Sequence, residues 1–94
     1  MKDFSGWTVR YGFLDGNLPD GVNIKLWVEL LEAALQQMFP GSTVEIPHQN
    51  ASGSPPCGFS AKVYRDSDGE ELRGGYDVIH YVVENTELPF LEEK

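Results

Sequence analysis

The sequence holds a single cysteine, Cys57, so no intrachain disulfide can form and a disulfide-stapled secreted scaffold is excluded. No stretch approaches the roughly 18 consecutive apolar residues that mark a membrane span. Met1-Lys2-Asp3-Phe4-Ser5-Gly6 has no apolar run behind its one positive charge, so no secretory signal is visible. A cytoplasmic protein is therefore expected, with an earlier-cleaved leader as the open alternative. In that setting Asn50-Ala51-Ser52 is a chance match to the glycosylation sequon.

Positive charge is scarce as well. Seven Lys and Arg stand against fifteen Asp and Glu, a formal net charge of −8. Such an excess repels phosphate backbones and anionic lipid, which argues against direct nucleic-acid or membrane partners. It attracts a basic protein surface, including one that normally grips nucleic acid, although acidic surfaces also serve solubility alone.

Motifs that carry chemistry are missing too. The chain contains no HExxH, GxxxxGK[ST], GxSxG or strand-linked GxGxxG. Cys57, His48 and His80 lack the paired spacing of a zinc site and number three where structural sites use four ligands. Cys57 has no basic neighbour in sequence to lower its pKa, so a nucleophile–base pair with either histidine is not expected. Asp66-Ser67-Asp68-Gly69-Glu70-Glu71 fails as a calcium loop. With Gly69 as the loop glycine, Tyr64 takes the first ligand position and Gly75 that of the bidentate Glu. No catalytic residue, metal or cofactor is expected.

What remains is enough for a core. The 94 residues fit one domain, 1–94, and the 40% hydrophobic content with five Phe, four Tyr and two Trp argues for a folded globule. Residues 7–14 alternate, with Trp7, Val9, Tyr11 and Phe13 on one face of a strand. Residues 24–38 give an amphipathic helix, with Ile24, Trp27, Val28, Leu31, Leu35 and Met38 on its apolar face. Asn23 is its N-cap, with Asp20 as the fallback, and Pro40-Gly41 its stop. Leu26, Leu30 and Ala33 widen that face beyond what one sheet covers, suggesting an exposed flank, a lid from another segment or a dimer contact.

A short strand at 43–46 stops at Pro47, and 47–58 reads as a mobile loop with few apolar anchors. Residues 59–65 alternate, Asp66-Ser67-Asp68-Gly69 turns, and 70–73 returns, with Gly74-Gly75 as a kink or bulge. Residues 76–84 read as a strand from their β-branched and aromatic content. If helical, they would line one face with Tyr76, Ile79, His80 and Val83. Residues 85–94 form an acidic tail. The expected fold is α+β: one helix on a mainly antiparallel sheet of four to five strands, in the order β-α-β-β-β.

Trp7, Tyr11, Phe13, Phe59 and Tyr64 resemble a stacking platform for single strands, but only Arg10, Lys62 and Arg65 accompany them. Core packing is the better account. The functional expectation is a small acidic non-enzymatic binding protein that inhibits a basic or nucleic-acid-binding protein. Toxin-immunity and phage anti-defence proteins act in this way, with spaced carboxylates standing in for phosphates. The expected contact residues are Glu29 and Glu32 on the helix and Asp66, Asp68, Glu70 and Glu71 at the hairpin tip. The alternatives are an accessory subunit or homodimer using the apolar helix flank and, more distantly, a small-molecule or enzymatic domain using the 47–58 loop.

Overall fold

The computed structural model describes residues 3–55 and 60–91. Strand β1 (Trp7–Arg10) lies at the middle of a three-stranded sheet. The chain continues through β2 (Phe13–Leu14) and a 3₁₀ turn at Asp15–Asn17, then enters helix α1 (Ile24–Met38). It returns as β3 (Thr43–Glu45), parallel to β1 with Val9 opposite Val44. A parallel neighbour needs a crossover of a dozen or more residues, and α1 supplies it. A second, two-stranded parallel sheet joins β2 to β4 (His48–Gln49). Strand β5 (Lys62–Arg65) then pairs antiparallel on the other side of β1, with Val63 opposite Val9. Helix α2 (Gly75–Asn85) closes the order.

Local chemistry accounts for α1. The Asn23 side chain accepts a hydrogen bond from the Leu26 amide at 3.2 Å, satisfying one orphan donor of the first turn. The Phe39 amide still donates to the Leu35 carbonyl at 2.9 Å, and Pro40 has no amide with which to continue. Trp27, Leu31 and Leu35 are buried, while Met38, expected on the same apolar face, is 47% exposed at the last helical position.

Both helices cover the same face of the main sheet. Leu35 and Phe39 of the α1 region and Ile79 and Val82 of α2 close over Val9 and Val63 in one cluster. A second cluster joins Phe13, Trp27 and Leu31, with Leu18, Ile24 and Leu88 against it. Period-2 alternation puts Thr8, Arg10, Thr43, Glu45, Lys62 and Tyr64 on the other face.

The α+β class stands, but the architecture differs from the one-helix expectation. Segment 76–84 is helical. Ile79 and Val82 are both buried against the sheet, and a strand would have put residues three apart on opposite faces. Gly74, at φ 83°, starts the helix from the left-handed region. A Cβ on Gly75 would come within 2.9 Å of Val63 Cγ2, so this pair is the entry to α2 and not a bulge.

The sheets also differ from a single antiparallel sheet of four to five strands. Strand 7–14 breaks at Tyr11-Gly12, and Phe13 and Leu14 are both buried between layers. The strand at 43–46 ends at Glu45, and the segment read wholly as loop after Pro47 contains β4. The 70–73 return is reduced to a bridge between Tyr64 and Glu71. Beyond α2, the backbone of Pro89–Leu91 docks on Gly21–Asn23: Asn23 donates to Pro89 and Leu91 to Gly21, each at 2.7 Å. The Phe90 and Leu91 side chains stay exposed, and Leu88 enters the core instead.

Candidate interaction surfaces

The hairpin after β5 is held by its own charges. The Gly69 amide donates to the Arg65 carbonyl at 2.6 Å, and the Arg65 amide to the Glu70 carbonyl at 2.8 Å. The Arg65 guanidinium then reaches back over the turn to both oxygens of Asp68 and to Glu70 Oε2. Its other side lies 5.6 Å from the Trp7 ring centroid. Hydrogen bonds from Arg65, followed by the Glu70 amide, lower the Asp68 pKa to about 2. Asp66 accepts a hydrogen bond from the Thr8 hydroxyl at 2.6 Å. Three of the four hairpin carboxylates are therefore already partnered, while the side chain of the exposed Glu71 forms no hydrogen bond or ion pair among the described residues.

Glu29 and Glu32 are different. Both are exposed on α1, and neither forms an ion pair among the described residues. Beside them run Leu26, 40% exposed, Leu30, 41% exposed, and the exposed Ala33. The flank anticipated from the sequence is thus open to solvent along two turns of helix. The six expected contact residues lie on two elements, Glu29 and Glu32 on α1 and the other four at the turn after β5, and no hydrogen bond or ion pair joins the two groups among the described residues.

The proposed stacking aromatics divide between layers. Trp7, Tyr11 and Phe13 pack into or against the core clusters. Tyr64 lies on the opposite sheet face, with Lys62 Nζ 5.1 Å from its ring centroid. Phe59 lies outside the described residues, as does Cys57.

Two further side-chain groupings form around the histidines, the first without a sequence signal and the second joining Tyr76 to His80, which the helical alternative for 76–84 places on one face. His48 Nδ1 lies 2.8 Å from Asp15 Oδ1, and its ring stacks on Phe13 with centroids 5.1 Å apart. This pair clips β4 to the 3₁₀ turn across 33 positions of sequence. No spacing in the sequence marks Asp15 and His48 as a pair. No hydroxyl among the described residues bonds to the imidazole. The second grouping sets His80 between Tyr76, at 4.2 Å, and the edge of Tyr11, at 6.4 Å. It borders a cleft of about 410 Å³ that Phe13, Leu18 and Pro55 also line. Burial raises the Tyr11 pKa.

The segment 47–55 is tied down more than its composition implied. Gly16 donates to the Ala51 carbonyl at 2.7 Å, and the Asn17 amide group exchanges two hydrogen bonds with the Gly53 backbone. No three His, Cys, Asp or Glu side chains converge on a metal-sized site among the described residues. No described helix is long and apolar enough to cross a membrane.

Comparison with known protein families, with curated proteins and with solved structures finds no significant match for this chain.

Proposed function

We propose that this chain is a non-enzymatic acidic binding protein that captures a basic protein surface, such as one built to hold nucleic acid, and thereby inhibits it. The observation that carries this reading is the net charge of −8, together with exposed carboxylates, Glu29 and Glu32, that form no ion pair among the described residues. An excess of one sign steers an oppositely charged partner and speeds encounter, and carboxylates spaced on a rigid frame substitute for phosphates. Immunity and phage anti-defence proteins would be the matching biological roles, and the cytoplasm the matching compartment.

The test begins with affinity purification from the native host, followed by association kinetics with the captured partner. The rate should fall at least about tenfold between 0.1 M and 1 M salt, as the Debye length shrinks from about 10 Å to about 3 Å. A partner that associates equally fast at both salt concentrations, or one that is itself acidic, would refute the proposal.

A second reading has its own observation. Leu26 and Leu30, each about two-fifths exposed, suit an accessory subunit or a homodimer that buries the α1 flank.

A further inference from the structure

We infer that the surface which docks the partner is the open stripe of α1, Leu26, Leu30 and Ala33 with Glu29 at its margin, and that its occupant is an amphipathic basic segment. The hairpin acts at longer range. This deepens the acidic-binding reading above and rests on it.

The geometry starts from the helical period. At about 100° per residue, Leu26, Leu30 and Ala33 occupy an arc of roughly 60°, and Glu29 lies about 40° beyond Ala33. The buried side of the helix is taken by Trp27, Leu31 and Leu35, so the stripe has no sheet to cover it. The stripe is about 10 Å long at 1.5 Å per residue, the length of two helical turns. It offers apolar area with Glu29 directly beside it and Glu32 about 60° further round, past Lys25, and neither carboxylate forms an ion pair among the described residues.

The hairpin offers the reverse. Asp66, Asp68 and Glu70 already accept bonds from Thr8 and Arg65, so a partner must break those bonds to use the same lone pairs. Its four carboxylates against one arginine still leave a field that draws cations in. Steering and docking therefore fall on different elements.

Charge decides between occupants. A second copy would bring another net −8 against the first and set Glu29 of both chains beside one seam. A segment with leucine-like side chains on one face and Lys or Arg beside them buries the stripe and meets Glu29 with opposite charge.

The probe is a synthetic amphipathic Leu–Lys helical peptide, compared with an oligolysine of equal charge and no apolar face. Binding is followed by amide chemical shifts, and rates by surface-immobilised kinetics. For the Leu–Lys peptide, shifts should map to residues around Leu26, Leu30 and Ala33, and Leu30→Gln should speed dissociation by about tenfold while leaving oligolysine binding unchanged. Glu71→Lys should slow association and leave dissociation alone. Leu30 is exposed, and an unchanged thermal midpoint for Leu30→Gln confirms that the variant is folded. If shifts map to the hairpin and Glu71→Lys speeds dissociation, this docking assignment is overturned while the acidic-binding reading stands. If neither peptide binds at low salt, both fall. A free protein that is dimeric, and becomes monomeric on Leu30→Gln, overturns the choice of occupant.

Discussion

Arg65 grips Asp68 in a two-pronged pair, Nε to Oδ1 at 3.1 Å and Nη2 to Oδ2 at 2.6 Å, across only three positions of sequence. The turn between them brings a cation over the acidic tip of its own hairpin, and this contact shapes how the tip responds to acid.

The Asp68 carboxyl titrates at about 2 in the folded chain against an ordinary 3.8. A depressed folded value stabilises the hairpin above the ordinary value, and that contribution is lost as pH falls toward 2. Carboxyl carbon shifts of Asp68 followed from pH 6 to pH 1.5 should show the low midpoint. Arg65→Gln should return it toward the ordinary carboxylate range. An unchanged midpoint in that variant would remove Arg65 as the cause.

Neighbouring leucines on α1 should differ sharply. Leu31 is fully buried, so Leu31→Ala should cost about 2–5 kcal/mol through lost burial and a residual cavity. Leu30→Ala, one position earlier and 41% exposed, should stay within about 0.5 kcal/mol. Urea unfolding of the two variants compares them directly. Similar losses would mean that the helix is rotated from its described position.

How much of this was legible in the sequence follows from how local each signal is. The bounds of α1 and its Asn23 cap come from periodicity and a side chain three residues from the amide it caps, so the chain alone displays them. Helix α2 does not announce itself. Val78, Ile79, Val82 and Val83 have strand-forming preferences, and only the packing of Ile79 and Val82 over Val63 makes the helix the better solution. The parallel pairings of Val9 with Val44 and Phe13 with His48 leave no local trace, since their register depends on the crossover between them. The acidic turn was readable from Asp-Gly, whereas Arg65 closing over Asp68 and Asp15 meeting His48 depend on backbone geometry that composition does not encode.

The close approach of Gly75 to Val63 provides another test. Gly75→Ala should destabilise by about 1–3 kcal/mol, because the added methyl meets Val63 Cγ2 at 2.9 Å. Val63→Ala removes the Cγ2 contact and leaves only that to its Cβ, at 3.0 Å. The double variant should therefore lose less than the two single losses added together. Simple additivity in a double-mutant cycle would place the strain elsewhere.

Asn17 should govern the order of the segment around Gly53. Its side chain both donates to the Gly53 carbonyl at 2.7 Å and accepts from the Gly53 amide at 2.9 Å. Asn17→Ala should speed hydrogen exchange at Gly53 by roughly 2- to 10-fold, the equivalent of one ordinary hydrogen bond. Exchange at Gly53 that matches an unstructured peptide in the unaltered protein would show that the clasp does not persist in solution.

The position of β1 has a consequence for synthesis. Its two neighbours in the sheet are residues 43–45 and 62–65, so β1 leaves the ribosome before either of them and waits with both of these edges unpaired until they emerge. One neighbour follows only after the α1 sequence, and the other some twenty residues later. The nascent chain thus carries an unfinished β-edge, bounded by Trp7 and Arg10, until residue 65 has emerged. Acquisition of the native sheet is a late event that no N-terminal fragment ending before Arg65 can complete.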